Sequence, residues 1–181
     1  MGALSITGIK PGSTNLELTA GSVKKTVPVT TRLSRNLVAY GPVGEAINGY
    51  TATVDQDGSL SLSGGDLTSS RGVAWPLDPT LFAPGVYRLT VTEPMPAGTY
   101  IGIWSASQRV VYVSGNSTGT NLTITREQID TGLRFGVCTL AAGGLSFGPV
   151  TVKPMLAPGT STLDWESPDM RNAVAGPLIQ D

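Results

Sequence analysis

The chain has 181 residues and a mass of 18.7 kDa, which is enough for one domain of ordinary size with a substantial core. Only 14% of its residues are charged and the formal net charge is −1, so no global electrostatic field draws it to nucleic acid or to a membrane surface. It has no histidine, which excludes Ser-His-Asp and Cys-His catalysis as well as histidine-ligated zinc. We therefore expect a binding protein or a structural protein, with no enzymatic activity and no cofactor.

Residues 1–35 are predicted to form an extended arm or a small hairpin rather than a domain. Their apolar runs are brief, and Pro28 removes a backbone donor from one side of its run. The segment 1–36 holds five cations and one acid, a net charge of +4, whereas the remainder holds seven cations and twelve acids, a net charge of −5. A solvated basic stretch is one interpretation, and docking on neighbouring subunits is the other. The cations of this predicted docking arm are Lys10, Lys24, Lys25, Arg32 and Arg35.

Residues 36–170 show repeated alternation of apolar and polar residues, the pattern of half-buried strands. Glycine-rich turn clusters separate the runs, which is typical of antiparallel sheets packed face to face around a core. The segment 71–76 is interpreted as a loop, and the denser run 109–113 is expected to be covered on both faces. The sequence thus predicts an all-β fold, an antiparallel β-sandwich with an N-terminal arm. The alternating runs are residues 50–54, 60–62, 87–91, 122–124, 133–137 and 150–152.

One helical turn is predicted at residues 125–131, since Thr125 can cap it and Gln128 occupies the third helical position. Seven residues are too few for an independent helix, so we expect this turn to lie over one end of the sandwich.

Cys138 is the single cysteine, so no internal disulfide forms and the fold depends on its core. It alternates out of phase with Leu133, Phe135 and Val137, which places it on the opposite side of the same predicted strand. We predict a buried structural thiol rather than a nucleophile, because a reactive thiol needs a partner base.

Asp55 and Asp57, followed by Gly58, resemble the start of a calcium loop, because alternate carboxylates before a glycine suit a hard cation. The later bidentate glutamate is missing, and Asp-Gly between alternating runs is also a strong hairpin signal. A hairpin turn is the favoured interpretation, and a metal site at Asp55 and Asp57 is the weaker alternative.

Trp75, Trp104 and Trp165 are candidate glycan-binding residues, because an exposed indole ring can stack on the apolar face of a sugar. Trp75 precedes Pro76 in the predicted loop and is therefore the one expected to be exposed. The favoured interpretation places all three rings in the core or between subunits. No pair among the loop carboxylates stands out as the acid pair of a glycoside hydrolase.

The segment 171–181 is predicted to be a C-terminal tail that neighbouring copies or other proteins hold in place, since free chain ends are commonly disordered. No run approaches the length of a membrane span, and the first residues lack the pattern of a secretory leader. We expect synthesis in the cytoplasm.

Residues 34–170 resemble a known family in the order of their segments. The segment 34–38 is followed by residues 48–64 and 83–90, and the body closes with a Pro-Met-Leu, Gly, Trp-Glu ending. This order is similar to that of the carbohydrate-binding-module-like jelly-roll domains in bacteriophage tail, baseplate and fibre proteins. The residues that match the ending are Pro154, Met155, Leu156, Gly159 and the stretch 160–166.

The resemblance implies a virion protein whose jelly-roll sandwich serves assembly, host-surface attachment or capsid decoration. Closed symmetry is usual in such particles, so the expected partners are further copies of the chain, with a trimer favoured over other rings, and other virion proteins. Host surface glycans are possible ligands, whereas nucleic acid and membranes are not expected. The alternative function is a glycan-binding module, and a hydrolase with two carboxylates is the least favoured.

Overall fold

A computed structural model describes residues 12–31, 34–114, 117–140 and 143–179. Within these ranges the chain is all-β and every strand pair is antiparallel, which confirms the predicted fold class. A short 3-10 helix spans Pro79–Leu81, and one α-helix, α1, spans Arg126–Thr131. The strands are β1 Gly12–Ala20, β2 Val23–Thr31, β3 Val43–Ile47, β4 Tyr50–Val54, β5 Leu60–Leu67, β6 Arg71–Pro76, β7 Gly85–Val91, β8 Thr99–Ser105, β9 Gln108–Ser114, β10 Gly119–Ile124, β11 Leu133–Thr139, β12 Leu145–Val152, β13 Pro154–Pro158 and β14 Gly176–Ile179.

Contacts divide the chain into two compact units, residues 1–34 and 35–181. In the first unit β1 and β2 form a hairpin that closes at the pair Ala20 and Val23. Gly21 in the two-residue turn has a φ of +62°, a left-handed conformation that costs glycine nothing. Of the two arrangements that the sequence left open, the described part of the arm adopts the hairpin. Lys10 and Arg32 lie outside the described residues.

The second unit, which we call the body, contains three sheets. Their strand orders are β14-β6-β11-β8-β9, β12-β5-β4-β3 and β10-β7-β13. The inner faces of all three sheets contribute to one continuous hydrophobic core, which makes the body a β-sandwich. Trp75 and Phe135 lie at its centre, with their ring centroids 6.0 Å apart. The jelly-roll connectivity stays a prediction.

The five-stranded sheet is buried on its other face as well. Ala74, Tyr100, Trp104, Cys138 and Leu178 form a second, smaller cluster there. The prediction that the Cys138 side chain is buried and faces away from Leu133, Phe135 and Val137 is confirmed. Because two faces are buried, β6 and β8 are apolar almost without alternation.

Trp104 lies against two glycines of this sheet that pair across β8 and β11. A Cβ atom on Gly102 would come within 2.9 Å of the Trp104 ring, and one on Gly136 within 3.2 Å. The absence of side chains at these two positions therefore gives the indole ring its place on the sheet.

The predicted helical turn is present as α1, with Thr125 as its N-cap. The Thr125 hydroxyl accepts the backbone N–H of Gln128, and the Gln128 side chain accepts the backbone N–H of Thr125. This reciprocal pair is the capping box that the sequence indicated. No helix in the described ranges combines the length and the apolar character needed to cross a membrane.

Three sequence interpretations of local structure were wrong. The supposed loop 71–76 is strand β6, which lies between β14 and β11 in the five-stranded sheet. Strand β9 is an edge strand in which only Val113 is fully buried, so it is not covered on both faces. The supposed tail contains β14, which pairs with β6 of the same chain and needs no neighbouring copy to hold it.

Candidate functional site

Residues that pair across an antiparallel ladder point to the same side, and successive pairs alternate between the two sides. In the β1–β2 hairpin one side therefore carries mostly apolar residues and the other mostly polar residues. The polar face carries an ion pair between Lys24 Nζ and Glu17 Oε1, 2.8 Å apart. We call the other side the apolar face. Its described side chains are Thr14, Leu16, Leu18, Ala20, Val23, Lys25, Val27 and Val29.

No side chain between residues 14 and 29 is buried. Leu18 is 41% exposed and Val23 is 67% exposed, although both belong to the apolar face. An isolated two-stranded hairpin is at best marginally stable in water, because it has no second layer to cover its apolar side. The described part of the hairpin therefore exposes apolar side chains to solvent, Leu18 and Val23 most of all.

The role of the basic residues in docking stays a prediction, and the structure shows where three of them lie. Lys24 is occupied by Glu17 on the polar face, and Lys25 lies on the apolar face opposite Leu18. Arg35 belongs to the body, where it binds a carboxylate of the same chain. The surface that the sequence reasoning missed is the apolar one. Apolar residues alternate along 14–20 and 23–29, but only the hairpin register shows that they lie on the same side.

Asn36 is a buried side chain that joins three segments of the body. Its amide nitrogen donates to the carbonyl oxygens of Pro154 at 2.9 Å and Glu166 at 2.8 Å. Its amide oxygen accepts the backbone N–H groups of Val38 at 3.3 Å and Leu156 at 3.1 Å. Two donors and two acceptor sites are all that an asparagine side chain offers, so its hydrogen-bonding capacity is fully used.

Arg35 and Trp165 reinforce the same junction. The Arg35 Nε donates to Glu166 Oε1 at 2.8 Å, and its backbone N–H donates to Oε2 at 2.9 Å. The indole Nε1 of Trp165 donates to the Pro154 carbonyl at 3.1 Å. We call Arg35, Asn36, Pro154, Trp165 and Glu166 the clasp. It fixes the first residues of the body to its C-terminal segment, and Trp165 serves as an anchor there.

The Asp55–Ser59 loop is a hairpin turn between β4 and β5, as the favoured interpretation predicted. Asp57 Oδ1 accepts both the hydroxyl of Ser59, at 2.6 Å, and its backbone N–H, at 2.9 Å. These hydrogen bonds, together with Lys153 Nζ at 2.9 Å from Oδ2, hold the pKa of Asp57 well below its ordinary value of 3.8. The Asp57 carboxylate is thus bound by Ser59 and Lys153 of the same chain.

The described residues contain no group of three or more His, Cys, Asp or Glu side chains placed to hold a metal ion. Three further titratable side chains, Tyr40, Tyr50 and Cys138, are buried in the body. Burial raises the pKa of Tyr40, whose hydroxyl donates to the Gly58 carbonyl at 2.6 Å, and burial likewise raises that of Tyr50. The Cys138 thiol is fully buried and lies 3.2 Å from the Arg71 carbonyl.

The glycan-binding interpretation is wrong for Trp75 and Trp104, and the interpretation that places their rings in the core is confirmed. Trp75 and Trp104 are both 0% exposed, so neither ring can stack on a sugar. Trp75 was expected to be exposed because the segment before Pro76 resembled a loop, but its ring packs on Phe135 inside the sandwich. Trp165 is half-buried in the clasp, with Lys153 Nζ 4.9 Å from the centre of its ring.

Tyr112 on β9 is the most exposed aromatic ring among the described residues, at 43%. The guanidinium of Arg109 lies 4.4 Å from its centroid and also donates to the Tyr100 hydroxyl at 3.2 Å. Tyr112 borders a groove of about 510 Å³ whose other walls include the polar side chains of Ser114, Ser117 and Thr120. A flat ring beside hydroxyl groups is an arrangement that suits a sugar. The sequence reasoning missed Tyr112 because its run was expected to be covered on both faces.

No protein-family model, no curated protein and no solved structure matches this chain.

Proposed function

We propose that this chain is a non-enzymatic structural protein of a bacteriophage particle, associated with the tail or the capsid. Its sandwich is displayed for assembly and for attachment to the host surface. It is made in the host cytoplasm and acts in the virion, as a homo-oligomer in which a trimer is favoured and beside other virion proteins.

The observation that carries this proposal is the difference between the two units in how far their apolar side chains are buried. The body has a core of its own, whereas the hairpin has an apolar face and, between residues 14 and 29, no buried side chain. A folded module that carries an uncovered amphipathic appendage is suited to being attached to something larger.

The clasp supplies a second line of support. The residues on which the family resemblance rests include Asn36, Pro154 and Glu166, and all three meet at the junction where the body begins. The clasp thus ties the first residues of the body to its C-terminal segment, as expected for a self-contained module that is displayed.

Peptide mass spectrometry of density-banded bacteriophage particles tests the proposal directly. The particles should come from the cells that encode the chain. The proposal predicts peptides of this chain at a fixed stoichiometry to the major virion proteins, with no loss after a salt wash. Its absence from banded particles would contradict the proposal.

A glycan-binding module is the second candidate function, and the exposed Tyr112 ring beside its groove favours it. Stacking on the ring would supply the apolar contact, while Arg109 and the groove hydroxyls would bind sugar hydroxyls. This candidate no longer involves Trp75 or Trp104.

A glycan array with three proteins tests that candidate. Tyr112→Phe keeps the ring and its contact with Arg109, so it serves as the control for Tyr112→Ala. Loss of the ring should weaken binding about tenfold or more, since a base or sugar stacked on an aromatic ring contributes on the order of 1–3 kcal/mol. Silence of the unmodified protein on every glycan, or equal binding by both variants, would reject a glycan site at Tyr112.

A further inference from the structure

We infer that Arg109 recognises an acidic sugar, whose carboxylate binds the arginine guanidinium at the groove beside Tyr112. The inference rests on the second candidate function, the glycan-binding module, and deepens it by naming the class of sugar. Arg109 and Tyr112 both lie on β9, an edge strand of the five-stranded sheet.

A β-bulge in β9 brings Arg109 and Tyr112 to the same face of the sheet. In a regular strand, residues three positions apart point to opposite faces. Tyr112 pairs with Gly102 and Arg109 pairs with Trp104, so the register shifts and Val110 is the extra residue. Gly102 and Trp104 share one face of β8, and their partners on β9 therefore share it as well. Bulges commonly re-aim a side chain next to a site, and they also make an edge irregular for the addition of another strand.

Two tyrosines hold the Arg109 guanidinium in place. Its central carbon lies 4.4 Å from the centre of the Tyr112 ring and 5.4 Å from that of Tyr100. Its Nη1 donates to the Tyr100 hydroxyl at 3.2 Å, and the guanidinium carries further N–H donors for a ligand. Among the described residues, no carboxylate lies within ion-pair distance of Arg109. Arg109 is thus an exposed and positioned cation whose charge no described acid neutralises.

The surroundings of Arg109 suit a sugar with a single negative charge. The groove of about 510 Å³ presents the hydroxyl groups of Ser114, Ser117 and Thr120, and Arg109 is the only charged residue among its described walls. A carboxylate can accept two parallel hydrogen bonds from a guanidinium, while the hydroxyl groups of the groove bind those of the sugar. Nucleic acids and phosphopeptides are recognised by several cations together, and residues 37–181 carry a net charge of −5.

A second groove extends the site in the direction of α1. Arg109 and Val110 border this groove as well, and its volume is about 460 Å³. Gln108 and Gln128 supply amide groups there, and Glu127 is the only acid among its described walls. A ligand that continues from the first groove into the second therefore meets a cation and then an acid. We expect an oligosaccharide in which acidic and neutral sugars alternate to bind better than one with an acid on every unit.

A glycan array of defined hexasaccharides tests the inference on the full chain. It carries hyaluronan, in which acidic and neutral sugars alternate, and oligogalacturonate, in which every sugar is acidic, each beside its carboxyl-reduced form. A sulfated dextran hexasaccharide is the arm for an anion without a carboxylate. Hyaluronan should bind at least tenfold more tightly than its reduced form and more tightly than the other two anionic probes. Equal binding of acidic and reduced forms, or tightest binding of sulfated dextran, would overturn the inference.

Variants of Arg109 show whether this residue reads the carboxylate. Arg109→Gln removes the charge and should weaken binding of the hyaluronan hexasaccharide at least tenfold. Arg109→Lys keeps the charge but loses the planar fork, so binding should weaken at least threefold. Arg71→Gln is the matched control, because Arg71 is an exposed arginine on β6, which β11 and β8 separate from β9. The control should change binding less than twofold, and an equal loss in Arg71→Gln and Arg109→Gln would contradict a site at Arg109.

The outcomes separate the inference from the function on which it rests. If acidic and reduced forms bind equally and Tyr112→Ala abolishes the binding of both, the glycan-binding module stands and the preference for an acidic sugar is wrong. If no probe and no other glycan binds, the module and the inference are both rejected. The presence of the chain in bacteriophage particles is decided independently by mass spectrometry.

Discussion

Replacement of Asn36 by alanine should destabilise the body more than any single surface substitution. The change removes four hydrogen bonds and leaves the backbone N–H groups of Val38 and Leu156 without their acceptor. Both of these residues are buried, and an orphaned buried donor costs about 1–3 kcal/mol. The Pro154 carbonyl keeps its bond from Trp165, so it adds little to the loss.

The expected decrease in the free energy of unfolding is therefore about 2–4 kcal/mol, with some relief if water enters the site. A domain of this size is stabilised by about 5–15 kcal/mol in total, so the variant should still fold. With a urea dependence of about 2 kcal/mol per molar, the unfolding midpoint should fall by about 1–2 M.

Urea unfolding followed by tryptophan fluorescence and circular dichroism measures this shift. Asn121→Ala is the matched control, because Asn121 is exposed and its amide oxygen accepts one hydrogen bond, from Arg88. The control should lie within about 0.5 kcal/mol of the wild type. A loss below about 1 kcal/mol for Asn36→Ala would refute the clasp as a structural element of the body.

Two further predictions concern other parts of the body. A Cβ atom at Gly72 would clash with the Val137 carbonyl oxygen, so Gly72→Ala should cost about 2 kcal/mol or more in urea unfolding, whereas Gly65→Ala, with open space around it, should be close to neutral. The pKa of Asp57 is lowered in the folded state by its hydrogen bonds from Ser59, so its contribution is present above pH 4 and is lost as the pH falls below 3.8. Asp57→Asn should therefore be less stable than wild type at pH 6, with the difference disappearing toward pH 2, and an equal difference at both pH values would contradict this.

Alternation along the chain predicted strands such as β4 and β7, which carry polar residues on one side. The runs 50–54 and 87–91 are polar on one side, and each lies in a strand of the structure. Strand β6 was missed because both of its faces are buried, so Gly72 and Ala74 stand where polar residues would have marked a solvent face. Because the run contains Gly72 and ends at Pro76, it resembled a loop.

Local chemistry was predictable where the partners are close in sequence. The capping box of α1 and the turn at Asp55–Ser59 both depend on residues a few positions apart. The clasp joins Asn36 to Glu166 across 130 residues, and no pattern in one sequence reports such a pairing. The apolar face of the hairpin was partly predictable. Its residues are close in sequence, but which of them share a side follows only from the register of the two strands.

A cryo-electron microscopy reconstruction of purified particles tests the central claim most directly. The account predicts repeated densities for the sandwich at the particle surface. A particle without this density would contradict it.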